Sequence, residues 1–309
     1  MRIIIAGGSG FLGRALADSL SAAGHRVQIL TRRPPASPSP GNARPLEHIT
    51  WTPDGTANGS WASPSAGADV IVNLAGESIG ESRWTPARKA RLRGSRIHAT
   101  RSLVRFIAEA EQPPAALISA SAVGFYGDRG GETLTEDARP GEGFLAELAV
   151  AWEREAMAAE SDRSRVVLLR TGIVLDAQEG ALAKMLPPFR LSAGGPFGSG
   201  RQFMSWIHRD DWVSLARWAV ETPGVRGPLN LTAPNPVANA DFARALGRTL
   251  NKPAFIPAPG FALKMILGEM AGPLLLDSQR AVPARALAGG FRFAHPELEA
   301  ALADLLQHK

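Results

Sequence analysis

The chain has no cysteine among its 309 residues, which excludes disulfides, thiolate metal sites and cysteine nucleophiles. Phenols are almost as scarce, with Tyr126 the single tyrosine. No apolar run reaches the roughly 18 residues a membrane span needs. The best candidate, Phe261 to Leu276, is interrupted by Lys264, Glu269 and Pro273. The N-terminal glycines begin too early to leave a signal peptide its apolar core and cleavage site. A cytoplasmic protein with no membrane partner is therefore expected. Lysine is also rare, at five of the 34 basic residues, so the net charge of +5 rests on arginine. The arginines are spread along the chain apart from one modest concentration between Arg83 and Arg105. That spread points to a basic pocket for an anionic small molecule and argues against a nucleic-acid partner. Composition is otherwise ordinary for a globular protein, at 45% hydrophobic and 20% charged.

The most informative stretch is Met1 to Gly13, MRIIIAGGSGFLG. Arg2 to Ala6 has the composition of a strand buried on both faces of a parallel sheet. Gly7, Gly10 and Gly13 follow at a GxxGxxG spacing, and then Leu12, Leu16, Leu20 and Ala23 share a helical face before Gly24. Strand, glycine turn and helix form the context of a dinucleotide-binding fingerprint. Backbone N–H groups across Gly7, Gly8, Ser9, Gly10, Phe11, Leu12 and Gly13 can approach a pyrophosphate there, helped by the positive end of the helix dipole. Val27 to Leu30 reads as the second strand. An NAD site places an acidic residue at its end for the ribose 2′-hydroxyl. Here the residues are Thr31, Arg32 and Arg33, and no acidic residue occurs from Ser19 through Arg44. Two guanidiniums suit a 2′-phosphate, so NADP(H) is the expected cofactor.

Further on, residues 34–45 hold five prolines and read as a loop. Asp69 to Gly76 reads as a buried strand ending in small residues. Thr85-Pro86 is an N-cap and N1 pair opening a long helix, with Ile97, Leu103, Val104 and Ile107 inward and most of its early arginines solvated. Leu117 to Ser121 is a strand running into Ala-Val-Gly-Phe-Tyr-Gly127. Phe144, Leu148 and Trp152 fall on one packed helical face. Val166 to Arg170 and Leu229 to Thr232 are further strands, and Pro187-Pro188 is expected to break the helix over 184–190. The glycine loop 194–202 lacks the Lys-Ser/Thr of a P-loop. His208 with Asp211 finds no further metal ligand in sequence, and Asp210 or Asp211 is the expected cap of the next helix. Phe291 to Phe293 reads as a strand fragment, and Leu298, Leu302 and Leu305 mark a last amphipathic helix.

Together, GGSGFLG, NLAGE (Asn73 to Glu77), RWT, SASAVGFYG (Ser119 to Gly127), GFLAEL, GGPFGSGRQ and SWIHRDD resemble one branch of the extended short-chain dehydrogenase/reductases. It is the group usually described as epimerase-family or nucleoside-diphosphate-sugar-epimerase-like. The resemblance implies an α/β fold, a Rossmann-like doubly wound parallel sheet over residues 1–232, with 180–204 contributing to a substrate lobe. Residues 233–309 would form a small, mostly helical C-terminal lobe. It also implies that Asn73, Leu74, Ala75, Gly76, Ser119 and Ala120 support the cofactor. Arg201, Gln202, Trp206 and His208 would border the substrate. Ser121, with Ser119 second, matches the serine that holds the reacting oxygen. The Tyr-x-x-x-Lys pair of the superfamily is missing, because Phe144 and Leu148 hold its positions. Without that lysine a phenol of pKa about 10 stays protonated at neutral pH, so Tyr126 could donate a proton but not accept one. Two classes follow: an NADPH-dependent oxidoreductase or epimerase-like enzyme on a small polar or nucleotide-sugar-like substrate, and a non-catalytic NADP-binding regulatory or cell-division-associated protein.

Overall fold

The computed structural model describes residues 1–34 and 46–307. From residue 35 onward, the proline-rich loop expected over 34–45 lies outside the described residues. Strands β1 (Arg2–Ala6), β2 (Arg26–Thr31), β3 (Glu47–Thr50), β4 (Val70–Asn73) and β5 (Ala116–Ala122) occupy the first half of the chain. The short β6 (Thr133–Leu134), then β7 (Arg165–Thr171), β8 (Ile173–Leu175), β9 (Phe203–Met204), β10 (Trp206–His208) and β11 (Gly227–Leu231) follow. Seven of them form one parallel sheet in the order β11-β7-β5-β4-β1-β2-β3. The order reverses between β1 and β4, and the crevice outside the carboxyl ends at such a point is where open α/β sheets bind ligands.

β1 shows why the sheet is sandwiched. Ile3, Ile4, Ile5 and Ala6 are all fully buried, with Ile3 and Ile5 facing one layer and Ile4 and Ala6 the other. On the first side lie α1 (Phe11–Ala22) and, later in the chain, Trp212 and Leu215. On the other lies the long α3 (Pro86–Glu109), which follows the one-turn α2 (Ala62–Ser65), together with α4 (Phe144–Met157). The Thr85 side chain accepts the Arg88 N–H at 3.1 Å and Pro86 opens α3, as its sequence predicts. α1 ends in a Schellman turn: His25 N–H reaches Leu20 O at 3.1 Å, Gly24 N–H reaches Ser21 O at 3.0 Å, and Gly24 sits at φ +88°.

Three expectations are corrected here. Pro187 and Pro188 lie inside a continuous α5 (Gly180–Arg190). They fall in its last turns, where Leu191 N–H to Pro187 O and Ala193 N–H to Pro188 O close the end. Phe291 to Phe293 is not a strand; its rings meet each other at 4.9 Å, and Phe291 meets Trp218 at 5.9 Å. Arg88 and Arg96 are buried rather than solvated, because they share the inward stripe of α3 with Leu92, Ala99, Leu103 and Ile107.

After α6 (Arg209–Glu221) and β11, the chain builds the helical portion from β12 (Val237–Ala238), α7 (Asn239–Thr249) and α8 (Gly260–Leu267). β13 (Arg280–Ala281), α9 (Ala284–Ala288) and α10 (Leu298–Gln307) complete it. β13 pairs with β6, and β12 with β9. α10 packs on α7 around Trp206, Phe242, Leu246 and Leu302. Among the described residues no helix is long and apolar enough to cross a membrane.

Candidate functional site

The glycine turn after β1 is built by close approach. A Cβ on Gly13 would lie 2.3 Å from Gly7 O, and one on Gly7, whose φ is +80°, 2.7 Å from the Leu74 backbone. Only glycine permits α1 to start this near the sheet. Gly10 caps α1 without a side chain. Among the described residues, the N–H groups of Phe11 and Leu12 meet no protein acceptor, leaving donors at the positive end of the helix for an anion. Ser9 Oγ lies 3.3 Å from Thr31 Oγ1, which also accepts the Arg33 N–H at 3.3 Å. That turn leaves Arg32 and Arg33 exposed at the end of β2. The residues present fit a dinucleotide with a charged 2′ substituent.

The wall after β4 is braced from below. Asn73 is fully buried; its amide donates to Thr100 Oγ1 at 2.9 Å and to Ser119 Oγ at 3.4 Å, and its Oδ1 accepts the Ala75 N–H at 3.2 Å. Trp152 Nε1 donates to the same Thr100 hydroxyl at 2.9 Å. Thus Asn73 shapes the Leu74–Gly76 loop through its backbone, and Ser119 is part of the brace. Ala120, the next residue of β5, is half-buried. Arg96 lies against Gly76, donates to Glu77 O at 3.0 Å and Leu92 O at 3.1 Å, and covers the Trp152 ring at 5.2 Å. Burial pulls its pKa down to about 10, against the pull of Glu77. Arg88 pairs with Glu77 beside it. Positions 88, 92 and 96 repeat at helical spacing, a signal that places both arginines on the inner face.

The two catalytic candidates are brought together, but inside the protein. Ser121 donates to Glu153 Oε1 at 2.6 Å, and Arg170 Nε and NH2 reach the two oxygens of that carboxylate at 2.8 and 2.9 Å. Arg170 NH1 donates to Tyr126 OH at 3.0 Å, and Tyr126 donates to Asn230 Oδ1 at 2.7 Å. Asn230 N–H in turn meets Glu136 Oε1 at 3.0 Å. The Arg170 guanidinium lies 3.5 Å from the Phe125 ring centroid. Tyr126 is 0% exposed and Ser121 4%. Burial pushes the Tyr126 phenol up, only partly offset by Arg170. As placed, both hydroxyls donate into this network and not toward open space. Register explains the meeting, since Ser121 stands beside Arg170 and Arg170 beside Asn230 on one face of the sheet. At the positions of the missing pair, Phe144 packs edge-on against Trp84 at 5.1 Å with Lys89 Nζ 5.1 Å above its ring, and Leu148 is buried.

Of the four substrate candidates, Arg201 is exposed. Gln202 is buried and ties Phe197 O and Leu275 O at 3.0 and 2.9 Å. Trp206 is fully buried, with Nε1 on Asn235 O at 3.0 Å. His208, 1% exposed, corrects the expected cap of α6: its Nδ1 accepts the Asp210 N–H at 3.1 Å. Asp211 instead holds the Ala294 and His295 N–H groups at 2.8 Å each. His208, His295 and Asp304 offer ligand atoms within 4.8 Å of one another. The capping tautomer, however, carries its proton on Nε2, the nitrogen 3.3 Å from Asp304. That nitrogen has no lone pair for a metal, and the His295 ring stacks on His208 at 3.9 Å where a shared ion would need both rings edge-on. Burial, then His295, holds the His208 pKa below its ordinary value.

The model of the NAD-dependent epimerase/dehydratase family matches residues 3–231. The chain belongs to that family. A domain of unknown function, DUF1731, matches residues 258–305. The chain is 41% identical over 312 residues to the Bacillus subtilis epimerase family protein YfhF, covering 99% of this chain and 98% of that one. It is 39% identical over 309 residues to the Arabidopsis thaliana epimerase family protein SDR39U1 homolog, chloroplastic, covering 99% and 87%. A crystal structure of human epimerase family protein SDR39U1 (isoform 2) with NADPH superposes with a TM-score of 0.88 at 36% identity, covering 100% of both chains. This family member accordingly has a Rossmann-like, NAD(P)-binding fold.

Proposed function

We propose that the chain binds NADP(H) in the crevice outside Gly7–Gly13 and works as an oxidoreductase on a small polar substrate in the cytoplasm. The observation that carries the reading is the end of β2, where Arg32 and Arg33 stand exposed and no acidic residue occurs in sequence from Ser19 through Arg44. Either guanidinium can meet a phosphate through paired charged hydrogen bonds. The solved human relative with NADPH supports the same choice. When bound, the nicotinamide supplies or takes a hydride. Epimerisation through transient oxidation begins by removing a proton from an alcohol, and Phe144 and Leu148 provide no base for it. Reduction of a carbonyl needs only a proton donor and a positioned substrate. In this reading Ser121 and Tyr126 hold the end of β5 in place and do not touch the reacting oxygen; a solvent water supplies the proton that completes the alcohol after hydride transfer, while Arg201 contacts the substrate.

A second reading is a non-catalytic NADP(H)-binding protein. It is favoured by the burial of Ser121 and Tyr126 and by the packing of Phe144 against Trp84. Fluorescence titration with NADPH and NADH, followed by NADPH consumption with aldehydes, ketones and nucleotide sugars, separates the cases. Carbonyl-dependent oxidation with an NADPH preference supports the first reading, and tight binding without turnover supports the second. Equal affinity for NADH ends the cofactor assignment, and epimerisation of a nucleotide sugar at enzymatic rates ends the reductase assignment.

A further inference from the structure

Large exposed apolar side chains concentrate over residues 255–266. Phe255, Ile256, Phe261, Met265 and Ile266 are 75, 47, 72, 69 and 63% exposed. The sequence GFALKMIL of α8 is mostly apolar, yet none of its residues is buried. Phe261 and Met265 are one turn apart on the outer side, while Leu263 and Leu267 are half-buried. The helix is held in place from its end, where Arg83 donates to Ile266 O at 2.6 Å and Met265 O at 2.7 Å. Residues 194–198 run alongside 256–258, through Ile256 N–H to Gly194 O at 3.2 Å and Ala258 N–H to Pro196 O at 2.9 Å. That pairing brings the end of α5, with Arg190 and the 80%-exposed Leu191, into the neighbourhood of Phe255. Exposed apolar groups clustered in this way mark interaction surfaces, where isolated ones do not.

The charge around this face is one-sided. No carboxylate occurs from residue 180 to 209 or from 242 to 268, the two stretches that build it. Besides Arg201, assigned above to the substrate, they carry the exposed Lys184, Arg190, Lys252 and Lys264, and Arg244 and Arg248, which pair with Asp241 and Glu299. Acidic groups that come near include Glu269, held by Lys89 at 2.5 Å, the half-buried Asp277 beside Lys264, and the exposed Glu81, which pairs with Arg88. A second copy is a poor occupant, because a two-fold interface sets a patch against itself and would press cation against cation. An anionic bilayer presents the opposite charge and accepts short apolar side chains at its headgroup boundary, with no spanning helix required.

We propose that α8 with residues 255–256 is a peripheral docking site for an anionic phospholipid surface. This goes beyond the cofactor reading and does not depend on it. It also narrows the sequence-based expectation of no membrane partner, which addressed spans and signal peptides only.

The test is flotation of the full chain with phosphatidylcholine vesicles, with and without phosphatidylglycerol. It is run at two salt concentrations and paired with sedimentation of the protein alone. The chain is expected to float with the anionic vesicles, about tenfold less with neutral ones, and less as salt rises. The double variant Phe261→Ser with Met265→Ser is expected to lose flotation by about tenfold or more while keeping NADPH affinity, which shows that it is folded. A chain that stays free of anionic vesicles overturns the proposal, as does a folded double variant that floats like the parent. A concentration-dependent dimer that the double variant abolishes, without vesicle binding, assigns the face to a second copy and also overturns it.

Discussion

The glycine turn after β1 and the Ser121–Glu153–Arg170 cluster under β5 are opposite solutions at the same end of one sheet. The first is made of backbone: Gly7, Gly10 and Gly13 bring α1 close, and the N–H groups of Phe11 and Leu12 meet no acceptor among the described residues. The second is made of side chains that consume one another's donors and acceptors in the interior. An open site must leave valences free, whereas a buried charge must have every valence met. The contrast separates a turn with free backbone donors from a cluster that ties two strands to α4.

The largest expected effect breaks the sealed region. Glu153→Ala leaves Arg170 buried without its carboxylate and should cost about 3–5 kcal/mol in urea unfolding. A loss under 1 kcal/mol would mean that the pair is solvated and the contrast false. Next comes the open region: Arg32→Ala should weaken NADPH binding by about 1.5–3 kcal/mol and leave NADH binding and thermal stability unchanged, measured by titration and melting. The two are sharpened by Ser121→Ala, which should cost about 1 kcal/mol of stability and leave NADPH affinity unaltered; a selective loss of affinity would return Ser121 to the crevice. The smallest effect is on pH. His208 caps α6 as the neutral ring, and burial with His295 beside it holds its folded pKa below the unfolded one. The contribution is thus fully present above about pH 6.5 and is lost as pH falls through the lower folded value. It should amount to about 0.5–1 kcal/mol, the usual worth of a cap. Acid-side unfolding curves of His208→Asn should be flatter than the parent's.

Local chemistry made part of this legible in advance. The buried β1, the glycine turn, the Schellman end of α1 at Gly24, the Thr85-Pro86 start of α3 and the arginines after β2 each depend on neighbours within a few positions. Arg88 and Arg96 were also within reach, because their spacing puts them on the same stripe as Leu92. Pro187 and Pro188 were misleading because the two internal bonds they forfeit are outweighed by packing, with Leu182, Leu186 and Phe189 holding the apolar face of α5 in the core.

By itself, then, the sequence determined a strand–turn–helix with glycine where only glycine fits, a cationic end to β2, and the loss of the Tyr-x-x-x-Lys pair at Phe144 and Leu148. Only the tertiary structure decided which polar side chains face open space. Ser121, Tyr126, Gln202, Trp206 and His208 all carry groups suited to a site, yet residues far along the chain bury them: Glu153, Asn230, Leu275, Asn235 and Asp304. The reason is physical: a backbone conformation is set by the residue that adopts it, while the burial of a side chain is set by whatever packs against it.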